Sequence, residues 1–448
     1  MSDLAVIVLA AGEGTRMNSR KPKVLHTVAG APMVSHVVRA ATALSPRQLI
    51  VVIGHGAEDV KAALGSEPTY VEQAQQLGTA HAVLQARGQV AGSIEDILVL
   101  YGDTPLITVE TLVAMRERHA ASRPAITMLT AHFDDPTGYG RIIRGPDGRV
   151  VGIVEEKVAT DAQKAIHEIN TGLYIFDAAW LWPALDRVEK SPAGEYYLTD
   201  LVALAVADGR SVEAIVADDP RETLGVNTRF QQAEAEAILR DRIRRRWLEA
   251  GVTMIDPSST WIDAEVSIGA DTVLYPDTYL LGRTVVGEQC RLGPGTLIRD
   301  STIGDRCEVV FSMIEEALLE EDVDIGPYSH LRRGARLGRG VHIGNFGEIK
   351  NSTLGPGVKM GHFSYLGDAT VGEGVNIGAG TITCNYDGEK KHPTVIGDRA
   401  FIGSDTMLVA PVEVGEESRT GAGSVVTRDI PPRSLAYGVP ARVREPRS

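Results

Sequence analysis

The sequence predicts an α/β protein of two unlike halves: a mostly parallel sheet covered by helices, then a parallel β-helix built from hexapeptides. Three observations predict it. Aliphatic runs alternate with helical patterns up to about residue 227, a charged and alanine-rich stretch fills 228–250, and beyond it aliphatic residues recur at every sixth position. At 448 residues the chain is also too long for one ordinary core.

In the first half, Leu4–Val8, Leu49–Ile53 and Ile97–Tyr101 are short apolar runs, the pattern of strands buried on both faces. Val34, Val37 and Val38, and the segment Thr79 to Gln89, show helical spacing between them. Such alternation builds a parallel sheet, whose ligands gather at the carboxyl ends of the strands. "LAAGEGTRM" (9–17) and "LYGDTP" (100–105) both fall at such ends. The first has the two leading glycines of a dinucleotide fingerprint, but Met17 stands where the third would be. What remains is a turn whose backbone N–H groups can face an anion. Arg16 adds a fixed charge and Lys23, in "KPKVLH", a mobile one, which suits a polyphosphate. Asp103 at its strand end reads either as a Mg²⁺ ligand for a phosphate substrate or as a helix cap.

The stretch "TRFQQAEAEAILRDRIRRRWLEA" reads as one long, largely solvated helix connecting the two halves. Its basic run Arg242 to Arg246 fits a solvated face better than a nucleic-acid site. Beyond it, Ile268, Leu274, Leu280, Val286, Leu292 and Ile298 keep a six-residue step, and Thr272, Thr278, Thr284, Cys290, Thr296 and Thr302 keep the same step. The register resumes at Ile325, Leu331, Leu337, Ile343 and Ile349, and again at Ile396, Ile402, Leu408 and Val414. Glycine follows the aliphatic at 269, 287, 338, 344, 397 and 403. Each coil of a hexapeptide β-helix has three short strands that point aliphatics inward, with small residues at the corners. The repeat breaks at "TCNYDGEKKHPT" (383–394), which must leave the coil as a loop. Around that break crowd Arg332, Lys350, His362, Tyr365, Asn376, Asn385 and Tyr386, so a catalytic solenoid is favoured over a spacer.

The net charge of −14 argues against a nucleic-acid or membrane surface, while leaving room for local cationic clusters. Cys290, Cys307 and Cys384 have no metal-ligand spacing and read as thiols in a reducing compartment. With no apolar run near the ~20 residues of a membrane span and no signal-peptide pattern, a cytoplasmic protein is expected.

"LAAGEGTRM…PKVLH", "QLGTAHA", "YGDTPL", "DPTGYGRI", "GIVEEK", "EINTG" and "GVNTR" together resemble the sugar-1-phosphate nucleotidyltransferases. With "GNFGEIKNS", "GHFSYLGDA" and "VNIGAGTITCNYDG" added, nearly the whole chain resembles one family. It is that of the bacterial bifunctional N-acetylglucosamine-1-phosphate uridyltransferases and glucosamine-1-phosphate acetyltransferases. The resemblance implies a Rossmann-like uridylyltransferase domain over 1–227, a helical linker over 228–250 and a left-handed β-helix acetyltransferase domain over 251–448. It further implies a homotrimer through the β-helix and substrates glucosamine 1-phosphate, acetyl-CoA and UTP. The product, UDP-N-acetylglucosamine, is a precursor of peptidoglycan and lipopolysaccharide-type envelopes.

Residue by residue, the family's uridine positions fall on Leu9, Ala10, Gly12, Gln73, Gln76, Gly78 and Thr79, and its catalytic basic positions on Arg16 and Lys23. Its sugar positions fall on Tyr101, Gly140, Glu155 and Asn170, and its Mg²⁺ ligands on Asp103 and Asn227. In the second half the implied base is His362, a residue type whose ordinary pKa near 6.5 suits proton removal from an ammonium. Arg332, Lys350, Tyr365 and Asn376 match glucosamine-1-phosphate positions. Ala379, Asn385, Tyr386, Lys391, Ser404 and Ala422 match acetyl-CoA positions. Two departures stand out. Gly438 occupies the place of a basic coenzyme A contact, leaving Arg442 and Arg444 as substitutes, and "LRRG" replaces "LRPG", adding Arg333 without a role. Two rival readings are an enzyme with only the nucleotidyl activity and a nucleotide-sensing scaffold. His362 with the expelled loop speaks against the first, and Asp103 with Asn227 against the second.

Overall fold

The computed structural model describes residues 3–192 and 194–444, which divide into one compact unit ending at Leu239 and another beginning at Arg240. The first is a helix-covered sheet. Its strands run, side by side, Val212–Val216, Ile126–His132, Glu168–Asp177, Asp96–Tyr101, Leu4–Ala10, Gln48–Ile53 and Thr69–Glu72. Leu4–Ala10 is buried along its whole length because it feeds two cores. Ala5, Ile7 and Leu9 face one layer of helices, and Leu4, Val6 and Val8 the other. Each of the leucine, isoleucine and valine side chains contributes about 1.5–3 kcal/mol on burial, which is why both faces are apolar.

The sheet is less uniformly parallel than the sequence suggested. Glu168–Asp177 runs antiparallel to both its neighbours, and the hairpin Arg141–Arg144 with Val150–Val154 joins its end. Apolar periodicity reports burial, not strand direction. The helix expected over 79–89 stops at Gln85 and passes into a 3₁₀ turn at Arg87–Gln89.

The long helix, Arg229–Glu249, forms as expected but is not a detached linker. In the first unit Ala235 is buried with Val28, Met33, Leu106 and Val226, Glu236 accepts from Ala29 N at 2.6 Å, and Gln232 donates to Thr27 O at 2.8 Å. In the second, the Arg240 guanidinium lies 3.5 Å from the centre of the Trp261 ring and Ile243 is buried. The boundary at 239/240 thus falls inside the helix, since each of its ends has its own apolar contacts.

The second unit is a β-helix of three parallel sheets stacked coil on coil, its last strand, Arg442–Arg444, folding back antiparallel. All the named period-six aliphatics point inward and are buried. The buried threonines occupy the corners, where Thr272 Oγ1 donates to Gly287 O at 2.9 Å and Thr278 Oγ1 to Tyr275 O at 2.7 Å. Cys290 and Cys307 take the same corner, each Sγ 3.1 Å from a carbonyl of the next coil, and all three cysteines are free. The threonine register breaks at its last member. Thr302 is exposed, and Ser301 fills the corner instead, because Leu292 pairs with Val309 and so the coil is one residue short of three hexapeptides. The corner glycines have a steric cause: a Cβ on Gly269 would lie 2.5 Å from the Gly287 carbonyl carbon of the next coil.

Candidate active sites

In the first unit, ten of the residues singled out from the sequence line one cavity of about 320 Å³, within the range of small-molecule sites. They are Leu9, Ala10, Gly12, Lys23, Gln73, Gln76, Gly78, Thr79, Tyr101 and Asp103. Gln76 Nε2 donates to Ala11 O at 2.7 Å and Gln73 Nε2 to Gly78 O at 3.1 Å, which ties the "QLGT" turn to the glycine-rich one. Ala11, Val24, Ala82 and Glu195 also line the cavity and were not singled out. Glu195 had no local signal. It arrives because Tyr196 N donates to Leu77 O and Ala80 N to Tyr196 O, a pairing of segments far apart in the chain.

At the mouth of the cavity four polar side chains converge. Lys23 Nζ donates to Asp103 Oδ2 and to Asn227 Oδ1, the latter at 3.0 Å, and Arg16 Nη2 donates to the same Asn227 oxygen at 3.0 Å. The backbone arranges this meeting: Val226 N donates to Asp103 O at 2.8 Å, docking "GVN" against "YGD". Gly14 adopts φ +66°, and a Cβ there would sit 2.4 Å from the Lys23 Cβ, so only glycine lets the Lys23 segment close on the turn. The Asp103 reading as a helix cap fails. The following helix, Val109–Ser122, is capped by Thr108.

The oxygens of Asp103 and Asn227 are hard donors, and two protein ligands suit Mg²⁺, which usually completes its octahedron with waters and substrate phosphates. The Lys23 ammonium bridging both oxygens shows that a cation fits between them. Among the described residues there is no cluster of three or more His, Cys, Asp or Glu that would form an all-protein metal cage.

The sugar positions also assemble. Asn170 N donates to Gly140 O at 2.8 Å, and the Glu155 carboxylate borders Gly140, where a Cβ would meet it at 3.5 Å. Tyr174 Oη donates to Asn170 Oδ1 at 2.8 Å. Burial pushes the Glu155 carboxyl upward, partly offset by a hydrogen bond from Thr199, and burial also pushes the Tyr101 phenol up, so it remains a donor. Tyr101 packs on Gly172, where a Cβ would fall 2.8 Å from its ring.

The second unit places its residues in two groups. On the outer face of one sheet, Arg332 and Lys350 follow each other on adjacent coils, and Arg332 Nη1 is paired with Glu348 at 2.8 Å. Lys391, from the expelled loop, and Arg332 together push the Lys350 ammonium below its ordinary range. Tyr365 Oη and Asn385 Nδ2 meet over Gly367, where a Cβ would lie 2.2 and 2.7 Å from them. Asp368 holds Asn385 at 2.5 Å; it lies inside "GHFSYLGDA" but was not singled out. The loop is built around Asp387, whose carboxylate accepts from Glu389 N, Lys390 N and His392, interactions that hold it well below the usual carboxylate range. Tyr386 projects from it, exposed, with its Oη on Gly388 O. Arg333 is paired at the surface with Glu316 at 3.2 Å.

The other group is a column. Lys359 pairs with Asn376 and Asn376 with Phe401, so the turn residues just beyond these strands stack coil on coil. His362, Ala379, Ser404 and Ala422 each follow a glycine at that one corner: Asp405 N donates to Ala379 O and Gly423 N to Ser404 O. At about 4.8 Å per coil the column runs about 14 Å. A Cβ on Gly378 would lie 2.5 Å from Ser404 N, and one on Gly403 2.6 Å from Thr420 O, so the corner excludes a side chain before Ala379 and Ser404. A Cβ on Gly361, before His362, would meet nothing closer than 3.7 Å. His362 is exposed, and among the described residues no hydrogen bond joins it to the Arg332–Lys350 group. At the column's upper end a Cβ on Gly421 would touch the Tyr437 Cβ at 2.8 Å, which sets Gly438 next in line after Ala422. Arg442 pairs across the terminal hairpin with Tyr437, and the Arg444 guanidinium lies 5.8 Å from that ring. Residues 445–448 of the tail lie outside the described residues. A larger concavity of about 520 Å³, bordered by Arg283, Asp300 and Arg336, holds none of the residues singled out from the sequence.

Residues 6–251 match the family described as MobA-like NTP transferase domain, and residues 393–428 match bacterial transferase hexapeptide (six repeats). The chain is similar to the bifunctional protein GlmU of Heliobacterium modesticaldum, with 53% identity across 97% of this chain and 95% of that one. It is 49% identical to that of Exiguobacterium sibiricum, across 98% of both chains. It is 48% identical to that of a Geobacillus species, across 98% of this chain and 95% of that one.

Proposed function

The chain belongs to the family of bifunctional GlmU proteins, and from that premise we propose how its residues divide the work. It is a transferase with two activities: acetyl transfer from acetyl-CoA to glucosamine 1-phosphate, then uridylyl transfer from UTP to N-acetylglucosamine 1-phosphate. The product, UDP-N-acetylglucosamine, serves cell-wall and envelope synthesis. The observation that carries the division is that each unit has polar groups of its own: Arg16, Lys23, Asp103 and Asn227 meet in one, and the other carries the Arg332, Lys350 and Lys391 group and, apart from it, the His362 column.

In the first unit the sugar phosphate oxygen is already ionised at neutral pH, so no base is required. That oxygen attacks the α-phosphorus of UTP, the bond to the bridging oxygen breaks, and pyrophosphate leaves. Leu9, Ala10, Gly12, Gln73, Gln76, Gly78 and Thr79 hold the uridine, while Tyr101, Gly140, Glu155 and Asn170 orient the sugar. Arg16 and Lys23 place positive charge where negative charge crowds during transfer. Asp103 and Asn227 would hold Mg²⁺, which when bound would supply further charge neutralisation at the phosphates.

In the second unit a protonated amine cannot attack a thioester. His362 takes the proton as the amine nitrogen bonds to the acetyl carbon, and the carbon–sulfur bond breaks to release coenzyme A. Arg332 and Lys350 hold the sugar phosphate, with Tyr365 and Asn376 at the sugar. Ala379, Ser404 and Ala422 give the extended cofactor arm a groove without bulky side chains, running from the base, and Asn385, Tyr386 and Lys391 close on it from the loop. An exposed stack of Phe311, Tyr328 and Phe346, with ring centres 5.7 and 5.4 Å apart, supports a homotrimer through the β-helix. No helix of the described residues is long and apolar enough to cross a membrane, and a cytoplasmic location fits the free cysteines.

The test is one incubation with glucosamine 1-phosphate, acetyl-CoA, UTP and Mg²⁺, with free thiol and pyrophosphate followed separately. Both should appear, pyrophosphate after thiol. Thiol without pyrophosphate would reduce the chain to the acetyl transfer. Neither product here, but pyrophosphate once N-acetylglucosamine 1-phosphate is supplied, would reduce it to the uridylyl transfer.

A further inference from the structure

Lys23 stands where the metal is expected. Its ammonium bonds both Asp103 and Asn227, and the side chains of Lys23 and Asp103 are only 14% and 15% exposed. Those two oxygens are the pair proposed to hold Mg²⁺, and the role of Lys23 rests on that assignment. A Mg²⁺ ion would bind the same oxygens at about 2.1 Å. An ammonium and a divalent ion cannot both be seated there, since their repulsion is little screened in a site this closed.

The base of the Lys23 side chain is held by packing, and its head only by polar contacts at the end of a flexible four-carbon chain. The Lys23 Cβ abuts the Gly14 turn, and the four-carbon chain beyond it borders the cavity that also holds the uridine positions. The head therefore has a second place to go, toward a triphosphate lying in that cavity, without any backbone movement. Arg16 differs. Among the described residues its guanidinium bonds only Asn227, and it is exposed, so it can keep that contact or move without leaving Asp103 unpaired.

We infer that Lys23 is a resident counter-cation of the metal site, displaced by Mg²⁺ and handed to the phosphates of the nucleotide. Without the metal, Lys23 neutralises the half-buried Asp103 carboxylate. With the metal, the freed ammonium becomes available to the triphosphate. A polyphosphate that draws Lys23 away equally vacates Asp103 and Asn227 for Mg²⁺. Metal and nucleotide thus favour each other's binding through one side chain, and the coupling is reciprocal by thermodynamic necessity.

The experiment uses the full chain, no nucleotide, and Mn²⁺ as a paramagnetic probe, with free Mn²⁺ counted by electron paramagnetic resonance. Lys23→Met, which keeps the stem and removes the charge, should bind Mn²⁺ about tenfold or more tighter than the wild type. Equal or weaker affinity in Lys23→Met would overturn the exchange. Asp103→Ala separates the exchange from the metal assignment beneath it: if that variant retains wild-type Mn²⁺ affinity, the metal assignment itself is wrong. Wild-type crystals soaked in Mn²⁺ give a check that needs no variant. Metal at Asp103 with the Lys23 head beyond hydrogen-bond reach supports the exchange, and Lys23 still bonded to Asp103 beside the metal overturns it.

Discussion

The two units position their chemistry by opposite means. In the sheet unit, residues as far apart in sequence as Arg16, Asp103 and Asn227 meet at strand ends, held by hydrogen bonds to one another. In the β-helix, His362, Ala379, Ser404 and Ala422 share one corner of successive coils, and their spacing is that of the repeat itself. A convergent site is a network, in which losing one member releases its partners. A stacked site is a column, in which each residue follows a glycine and stands on a coil of its own. Substitutions should therefore spread in the first unit and stay local in the second.

The largest effect should follow Asp103→Ala. It removes the carboxylate that orders Lys23 and, through Lys23, loosens Asn227. Pyrophosphate release should fall by about 10³ or more, the scale on which charged groups act at a transferring phosphoryl centre. Thiol release should be unchanged. A variant with near wild-type pyrophosphate release at saturating Mg²⁺ would break the network picture.

His362→Ala tests the column. General-base assistance is worth about 10² to 10⁴ in rate, so acetyl transfer at pH 7 should drop by that factor, while pyrophosphate release from UTP with N-acetylglucosamine 1-phosphate supplied directly persists. The residual rate should climb with pH, because free amine then forms without help from the protein. Unaltered acetyl transfer at pH 7 would make His362 structural.

Arg16→Ala sharpens the comparison within the network. Arg16 is exposed and, among the described residues, hydrogen-bonds only to the Asn227 oxygen, so its loss should leave the cavity standing. The expected change is about 10- to 100-fold in kcat with little in KM for UTP, because its charge matters most when the α-phosphate is crowded. A rise in KM alone would make it a binding residue.

How far the sequence could be read depends on the same contrast. The inward ladder of the β-helix was legible because its period is local: Leu274, Leu292, Leu331 and Ile349 are all buried as the spacing demands. The period failed at Thr302, where a coil one residue short moved Ser301 into the corner. Nothing in a six-residue window announces a shortened turn. In the sheet unit the motifs at strand ends were legible, since strand–turn–helix chemistry is local too. Glu195 and the antiparallel course of Glu168–Asp177 were not, because both depend on pairing between distant segments. The linker reading missed the two ends of the helix, whose apolar residues Ala235 and Ile243 are too sparse among charges to form a visible stripe.

The smallest effect belongs to the tail, where the chain departs from its family's pattern. Gly438 follows Ala422 up the column but carries no charge, and its φ of +104° lies where a side chain is strained. Gly438→Arg would restore the family's cation at a backbone cost, so it should not improve acetyl transfer. The terminal hairpin offers a substitute: Arg442, exposed and paired across from Tyr437, brings a guanidinium to the same end of the column. Coenzyme A carries phosphates there if its arm runs from His362 past Ala422. An exposed charge pair of this kind contributes about 0.2–1 kcal/mol, so Arg442→Ala should raise KM for acetyl-CoA about twofold to fivefold and leave kcat alone. The difference should shrink in 0.5 M salt, where screening cuts the Debye length to a few ångströms (about 4 Å). Arg444, drawn toward the Tyr437 ring, should matter less. An Arg442→Ala variant with unchanged KM at low salt would leave the column's upper end without a cation of its own. Coenzyme A would then have to be held by the loop residues Tyr386 and Lys391, and alanine at those two positions would carry the whole effect.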